Sequence, residues 1–279
     1  IISNGGKWSY DVVEVEQLGE EPVFDITVET AEHTYWTGGL LVSNCLEIPL
    51  EDKGVCNLSE CFPTRCESQE DLWRVMELAT LYCSTVSLLP THSPETNSVI
   101  AEQRRIGVSV SGLADWIDST NLNHVMMTLR RGYEEHVRPT NERINAEAGV
   151  PPSVRVSTCK PSGTISLLAG VSPGLHWPVF THGIRRVRVS ADSKVAERLT
   201  DAGVPNEADT YSENTLVFEF PLSDNGKTRT TREVSIWEQM SLVAMLQREW
   251  ADNSVSVTGT FTQAEAGQLE RVLTCFVPI

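Results

Sequence analysis

The stretch Cys45-Leu46-Glu47-Ile48-Pro49-Leu50 and its continuation Gly54-Val55-Cys56-Asn57-Leu58 bring two thiols and a carboxylate together in a short segment. Cys56 lies eleven residues after Cys45. On an extended chain, residues two apart face the same side, so the carboxylate of Glu47 can lie beside the sulfur of Cys45. A carboxylate in that place can accept a proton from a reacting group. The stretch therefore predicts a reactive thiol with an acid–base group next to it.

Downstream of this stretch the pattern alternates between helices and strands. Ser68 to Leu89 is predicted to be a helix, with Ser68 and Asp71 as its capping pair and Pro90 as its stop. Apolar runs predict strands over residues 106–110, 154–156, 184–189, 216–220 and 255–257. Further helices are predicted over residues 124–148, with an interruption near Pro139, from 164, over 236–250, and over 263–274 behind a Thr262–Glu265 capping box. Such alternation implies an α/β fold with a largely parallel sheet, either open or closed as a barrel.

The composition is that of an ordinary globular protein. The chain has 279 residues, of which 40% are hydrophobic and 22% charged, enough for one large core or two smaller ones. Mean hydropathy is −0.18 and no apolar run approaches the roughly 20 residues that span a bilayer, so we expect neither a membrane segment nor a signal peptide. The net charge of −16 argues against a nucleic-acid-binding surface, because phosphate binding needs clustered lysine and arginine. Any phosphate site must therefore be local.

The seven cysteines predict a reducing environment. Their number is odd and they are spread along a chain without an export signal, which favours free thiols in the cytoplasm over a disulfide framework. Cys45, Cys56, Cys61 and Cys66 could instead bind zinc, but zinc sites usually contain Cys-x-x-Cys pairs and this sequence has none. We therefore expect no metal site.

The first 44 residues have a β pattern that ends in Ser43-Asn44-Cys45. Val23-Phe24-Asp25-Ile26-Thr27-Val28 alternates apolar and polar residues, and two glycines then break the chain before Leu40-Leu41-Val42. The segment from Val23 to Cys45 resembles the C-terminal splicing motifs of inteins, where such a strand precedes a histidine, a glycine turn, apolar residues, asparagine and cysteine. The alternative is a β-hairpin that happens to end in these three residues.

The intein resemblance implies splicing roles for four residues. An asparagine in a strained turn can attack its own backbone carbonyl and cleave the chain after itself, and the next residue must accept an acyl group. Asn44 and Cys45 have these identities, while Asp25 would help to activate the thiol and His33 would assist proton transfer. Ser43 departs from the pattern, because the residue before the terminal asparagine is most often histidine in inteins.

Residues 1–44 are too short to contain the N-terminal nucleophile of an intein with its Thr and His motif. We interpret them as a C-terminal intein fragment of small all-β (Hint-type) fold, from either a truncated frame or a split intein. The upstream half is then a required partner. We expect the chain alone to complete neither splicing nor the reaction of the region that follows.

Residues 45–279 resemble the C-terminal half of ribonucleotide reductases. The Cys-x-Glu pair, the second cysteine and three later segments occur in the family's order, and the separation of Cys45 and Cys56 is that of the adenosylcobalamin-dependent (class II) reductases. The later segments are residues 103–112, 160–174 and 250–258, the last most like the monomeric triphosphate reductases. The resemblance implies the C-terminal half of a ten-stranded α/β barrel, with Cys45 on a finger loop at its centre.

The resemblance also implies a radical reaction that converts a ribonucleoside di- or triphosphate to its 2′-deoxy form. Cys45 would be the thiyl radical that removes the 3′-hydrogen, and Glu47 would take the 3′-hydroxyl proton. Cys56 would belong to a dithiol that supplies two electrons, with its partner in the N-terminal half of the enzyme. Adenosylcobalamin would generate the radical, and thioredoxin or a similar dithiol would regenerate the enzyme.

In the family, the loop that here reads Pro161-Ser162-Gly163-Thr164-Ile165-Ser166 holds the substrate phosphates. Gly163 lets backbone N–H groups approach an anion, the three hydroxyls add donors, and a helix start adds partial positive charge. Taken alone, a Pro-Ser-Gly-Thr turn is more often a helix cap. Its position downstream of Cys-x-Glu favours the phosphate loop.

Two rival functions remain open from the sequence. A diiron (class I) large subunit would carry adjacent radical-relay tyrosines near its C-terminus, and the five tyrosines here are never adjacent. Alternatively, splicing is the only activity of the chain itself. Elsewhere, Arg185, Arg186 and Arg188 alternate on a predicted strand, so we expect ion pairs or solvent there and no second phosphate patch. His176 and Cys159 are expected in core or loop roles.

Overall fold

The computed structural model describes the backbone of residues 2–4, 7–9, 34–37 and 40–43, and residues 48–223 and 228–276 in full. The chain divides into two compact units, Ile1–Asn44 and Cys45–Ile279. Each unit has its own described elements.

Among its described residues, the first unit contains two short antiparallel strand pairs. Strand β1 (Ile2–Asn4) pairs with β2 (Lys7–Ser9), and β3 (Thr34–Thr37) pairs with β4 (Leu40–Ser43). The apolar run before the junction thus lies in a strand, as the sequence predicts. The alternating segment 23–28 lies outside the described residues.

The second unit is a mixed α/β structure. Its helices are α1 (Gln69–Val86), α2 (Pro94–Gln103), α3 (Leu113–Ser119), α4 (Leu122–Arg131), α5 (Arg138–Glu147), α6 (Ile165–Ala169), α7 (Lys194–Asp201), α8 (Ile236–Glu249) and α9 (Leu269–Phe276). Its strands are β5 (Asn57–Cys61), β6 (Ile106–Val110), β7 (His182–Ser190), β8 (Asn206–Ala208) and β9 (Thr215–Ser223). Within the described ranges, no helix has both the length and the apolar character needed to cross a membrane.

Strands β5 and β6 form the parallel part of the unit. Their register runs from Asn57 opposite Ile106 to Cys61 opposite Val110. The ladder continues through single parallel bridges, Val108 with Ser157 and Cys159 with Val255. All five residues of β6 are buried, as expected for a strand that is covered on both faces.

The prediction of strands over residues 154–156 and 255–257 is wrong. The structure has only single bridges in this region, at Ser157, Cys159 and Val255. Side chains interrupt the ladder. The backbone N–H of Val156 donates to Oδ2 of Asp252 at 2.9 Å, and the N–H of Lys160 donates to Oγ of Ser109 at 3.0 Å. Backbone groups that bond to side chains cannot also extend a sheet.

The other sheet corrects the expectation of a largely parallel arrangement. Strands β7, β9 and β8 are antiparallel to their neighbours, in that order. Exposure alternates along β7, so one of its faces meets solvent. Arg186 pairs with Glu207 and Glu219, and Arg188 pairs with Asp209, which confirms the predicted ion-paired face.

The helix boundaries follow capping chemistry. Oγ of Ser68 accepts the N–H of Asp71 at 3.1 Å, which confirms the predicted start of α1. No break occurs at Pro139, because the π-helical turn Gly132–Val137 joins α4 to α5 and the proline lies in the first turn of α5. The helix predicted from residue 263 begins only at Leu269, after a turn in which Glu265 accepts the N–H of Thr262.

Candidate active site

The structure describes part of the predicted site. Cys56 and the loop from Pro161 to Ser166 lie in the described ranges. Five predicted residues lie outside them: Asp25, His33, Asn44, Cys45 and Glu47. The described part of the predicted site therefore consists of the thiol of Cys56, the segment 48–56 that leads to it and the loop 160–174.

Cys56 is half-buried and directly precedes β5. Three thiols of the surrounding core, those of Cys61, Cys83 and Cys159, are fully buried, and burial is the largest cause that raises the pKa of each. Cys56 itself contributes to the raised pKa of Cys83. A protonated, buried thiol is a poor nucleophile, so Cys56 is better placed for thiol exchange than these three.

The segment that leads to Cys56 packs against a glycine of β6 through Ile48. A Cβ atom added at Gly107 would lie 2.7 Å from Cδ1 of Ile48, 2.5 Å from Cδ2 of Leu58 and 2.9 Å from Cγ2 of Thr158. These separations are shorter than any relaxed carbon contact. Ile48, three residues after Cys45, therefore lies against β6 only because residue 107 has no side chain. Glu51 adds a second attachment through a hydrogen bond from Gln103.

Hydrogen bonds from the β6–α3 turn hold the far end of the loop 160–174. The N–H of Gly112 donates to the carbonyl of Ser172 at 2.8 Å, and the N–H of Gly174 donates to Oγ of Ser111 at 2.9 Å. Gly174 has φ +47°, and a Cβ there would run into the carbonyl oxygen of Lys160. The two ends of the loop thus meet at a position that requires glycine.

Near the start of the loop, around Gly163, several hydrogen-bond donors have no acceptor among the described residues. The backbone N–H groups of Gly163, Thr164 and Ile165 donate no hydrogen bond to a described residue. Space beside Gly163 is open, since a Cβ added there would meet nothing within 4 Å. Oγ of Ser166 is buried and has no partner in the described part of the chain. Because α6 has only five residues, these donors matter more for an anion than its small dipole.

A buried carboxylate lies beneath the loop. The side chain of Glu60, on β5, is 1% exposed and accepts from three groups. Oγ of Ser162 donates to Oε2 at 2.6 Å, Nζ of Lys160 lies 3.1 Å from the same oxygen, and Oγ of Ser109 donates to Oε1 at 3.1 Å. The hydroxyl hydrogen of Ser162 is therefore already used, so this residue offers an anion only its position in the loop.

The sequence did not predict the buried carboxylate of Glu60, the close contacts at Gly107 or the packing of Ile48 against β6. The available signal for Glu60 was its place in a short run of residues directly before a cysteine, a residue type that is often buried. A carboxylate that is buried there needs hydrogen-bond partners. The close approach at Gly107 had a weaker signal, an isolated glycine inside a predicted strand.

His176 lies beside the loop in the structural role that the sequence predicts. Its Nδ1 hydrogen bonds to the carbonyl of Pro173 at 2.9 Å, and its Nε2 accepts the N–H of Thr258 at 3.0 Å. Burial lowers the pKa of this imidazole, so the neutral form is favoured. Within the described ranges, no three His, Cys, Asp or Glu residues cluster so as to hold a metal ion.

Comparison with known proteins gives matches across most of the chain. It is 41% identical over 224 residues to an adenosylcobalamin-dependent ribonucleoside-triphosphate reductase of Euglena gracilis. It is 34% identical over 262 residues to the protein of the same name from Lactobacillus leichmannii. These matches cover 80% and 82% of this chain but 31% and 35% of the relatives, so the chain spans about a third of their length. No family model matches the chain.

The solved structures agree with the sequence relatives. A crystal structure of a B-12-dependent (class II) ribonucleotide reductase matches 82% of this chain and 36% of its own with a TM-score of 0.73 and 32% identity. The alpha subunit of a class Id reductase from Actinobacillus ureae matches with a TM-score of 0.53 and 15% identity, which shows a shared fold alone.

Proposed function

Over about 80% of its length the chain belongs with the adenosylcobalamin-dependent, class II ribonucleotide reductases, and from this premise we propose that it forms the C-terminal part of such an enzyme's catalytic barrel. The proposed reaction reduces a ribonucleoside triphosphate, or a diphosphate, to the 2′-deoxynucleotide. The observation that carries it is the 41% identity to a named triphosphate reductase, and it is supported by the hydrogen bond that joins the loop 160–174 to the strand after Cys56.

We assign the chemistry to the two thiols and the carboxylate of the finger loop. The Cys45 thiyl radical removes the 3′-hydrogen, Glu47 takes the 3′-hydroxyl proton, and the 2′-hydroxyl takes a proton from the thiol pair and leaves as water. That pair, Cys56 and a thiol of the upstream half, becomes a disulfide and supplies two electrons and a second proton, so that C2′ gains a hydrogen and Glu47 returns its proton to the 3′-oxygen. Cys45 returns the hydrogen to C3′, and a thioredoxin-like dithiol reduces the disulfide. The half-buried setting of Cys56 beside β5 supports its role, since an external reductant must reach the disulfide.

The phosphates are assigned to the loop formed by Pro161, Ser162, Gly163, Thr164, Ile165 and Ser166. Three N–H groups without a described acceptor, open space at Gly163 and the unpartnered Oγ of Ser166 support this assignment. Because the net charge of the chain is −16, the protein as a whole repels phosphate groups. A phosphate therefore has to bind where local donors outweigh that repulsion.

Adenosylcobalamin would supply the radical; the names of the relatives describe those proteins as adenosylcobalamin-dependent. One described residue is excluded as a cobalt ligand: both ring nitrogens of His176, the half-buried imidazole beside the loop, already form hydrogen bonds. We therefore assign no cofactor contact to the described residues, and no step above depends on one.

For residues 1–44 we propose a role in protein splicing. Asn44 cleaves the chain after itself, Cys45 accepts the acyl group, and Asp25 and His33 assist. The two strand pairs and the division of the chain between Asn44 and Cys45 support the proposal. Mass spectrometry after mixing with a matching N-terminal intein fragment tests it: loss of residues 1–44 with ligation through Cys45 is expected. An unchanged mass under reducing conditions would exclude splicing.

The reductase proposal is tested on the full-length enzyme that contains residues 45–279. Deoxynucleotide formation should require adenosylcobalamin and should be lost in Cys45→Ser, while Cys56→Ser should stop multiple turnover with a thioredoxin-like reductant. Cys275→Ser is the matched control, because that exposed cysteine has no assigned role. Turnover that depends on a diiron subunit and ignores cobalamin would replace the class II assignment with class I.

A further inference from the structure

The loop proposed to hold phosphates contains a serine in an unfavourable backbone conformation. Ser162 has φ +54°, in the left-handed region that costs L-residues free energy and that glycine adopts readily. It is one of four non-glycine residues with positive φ among those described. Such a residue persists where its surroundings hold it in place.

The group that holds Ser162 is the carboxylate of Glu60. The 2.6 Å hydrogen bond from Oγ of Ser162 to Oε2 is short and charge-assisted, and it spans 102 residues of sequence. Lys160 and Ser109 complete the donor set around this carboxylate, so its charge is compensated although its side chain is almost fully buried.

This arrangement links the conformation of the loop to strand β5. Ser162 precedes the three residues whose N–H groups have no described acceptor, and its own carbonyl accepts the N–H of Ser166 at 3.1 Å. If Ser162 left the left-handed region, the backbone after it would turn and the directions of these N–H groups would change. The fixed end of this linkage is Glu60 on β5, four residues after Cys56, which directly precedes that strand.

We propose that Glu60 is a positioning residue for substrate binding: its buried carboxylate holds Ser162 in the left-handed conformation that presents the loop's N–H groups to the substrate phosphates. The proposal rests on the proposed reductase function and deepens it. Glu60 touches neither substrate nor reacting atoms in this role, and it acts through Ser162 and Lys160.

The test measures KM and kcat for a ribonucleoside triphosphate in the full-length reductase that contains these residues. Glu60→Ala should raise KM about tenfold or more, equivalent to ~1.4 kcal/mol of binding, and should change kcat less than about threefold. Ser162→Ala, which deletes one hydroxyl and keeps the unfavourable backbone, should raise KM in the same direction. It keeps the test valid if Glu60→Ala does not fold.

Rescue distinguishes positioning from general damage. Glycine tolerates φ +54° without an anchor, so Ser162→Gly should largely restore the KM of Glu60→Ala in the double variant. Asp118→Ala is the matched control: this carboxylate is also buried and paired, with Arg229, and it has no described contact with the loop. Its loss should lower thermal stability and leave KM unchanged.

The outcomes separate the two proposals. A wild-type enzyme that forms no deoxynucleotide contradicts the proposed function itself. An active wild type combined with an unchanged KM in both Glu60→Ala and Ser162→Ala overturns the role of Glu60, and so does a double variant with no recovery.

Discussion

Strands β6 and β7 belong to the same unit and have opposite environments. All five residues of β6 are buried, whereas exposure alternates residue by residue along β7. The first strand pairs in parallel and is covered on both faces, and the second lies in an antiparallel sheet with one face in solvent. Ser109 of the first strand bonds to Glu60 and to the N–H of Lys160, next to the candidate loop, whereas surface ion pairs occupy the second strand.

The difference shows which strand can accept a larger side chain and which cannot. At β6, three side chains pack against Gly107, those of Ile48, Leu58 and Thr158. A side chain added at residue 107 would therefore displace Ile48 directly. At β7, outward side chains can move into solvent. A substitution of the same kind should therefore have unequal costs on the two strands.

The largest effect is expected for Gly107→Ala. The new methyl group would overlap Ile48, Leu58 and Thr158. Leu58 is 37% exposed, but Ile48 and Thr158 are buried and have little freedom to move away. Overpacking of this kind costs about 1–3 kcal/mol, and we expect the upper part of that range in urea unfolding of the chain. In the full-length reductase, kcat should fall as well, because Ile48 is three residues from Cys45.

Gly183→Ala on β7 is the matched substitution. Its Cβ would overlap the ring of Phe180, but that ring is 52% exposed and can rotate into solvent. The unfolding free energy should change by less than about 1 kcal/mol. Equal losses in the two alanine variants would contradict the comparison between the strands.

A smaller effect is expected for Asp252→Ala, which removes a carboxylate that bonds to the segment beside β6. Its oxygens accept from Tyr133, Arg138 and the N–H of Val156, at 2.7, 3.0 and 2.9 Å. Hydrogen bonds to charged groups contribute about 1.5–3 kcal/mol, and partial exposure of the pair places the expected loss near 2 kcal/mol. Chemical denaturation measures it, and a loss below about 0.5 kcal/mol would show that the network is not stabilising.

The sequence predicts what depends on neighbours along the chain. The start of α1 follows from the capping pair Ser68 and Asp71, and the ion-paired face of β7 follows from its alternating arginines. The Cys-x-Glu pair and the loop 160–174 indicate the family through order and spacing, and the relatives agree.

Contacts between distant segments could not be predicted in this way. Glu60 meets Ser109 across 49 residues and Ser162 across 102, so no local pattern connects them. The interrupted strands near residues 156 and 255 have a similar origin, because Asp252 accepts the backbone N–H of Val156 and Gln247 accepts that of Val255. Competition between side-chain and backbone acceptors is decided by tertiary structure.

The third prediction concerns pH and the imidazole that joins the loop to the segment beside it. Burial lowers the pKa of His176 below its ordinary value of 6.5, so the unfolded state binds the proton more readily. Its contribution to stability is fully present above pH 6.5 and is lost as the pH falls through the lowered pKa of the folded state. His176→Gln should weaken this acid-side loss in unfolding measured at several pH values. An unaltered pH profile would exclude His176 as a source of the dependence.

The smallest effect is expected for Arg186→Ala on β7. Its guanidinium pairs with Glu207 and Glu219, yet the three side chains are between 37% and 60% exposed. Water and salt screen such pairs, so the loss should be about 0–1 kcal/mol and should shrink further at high ionic strength. Comparison with Asp252→Ala tests whether burial, and not the number of ion pairs, determines how much unfolding free energy is lost in the two regions. A loss that equals or exceeds that of Asp252→Ala would mean that the exposed sheet is as constrained as the region around β6.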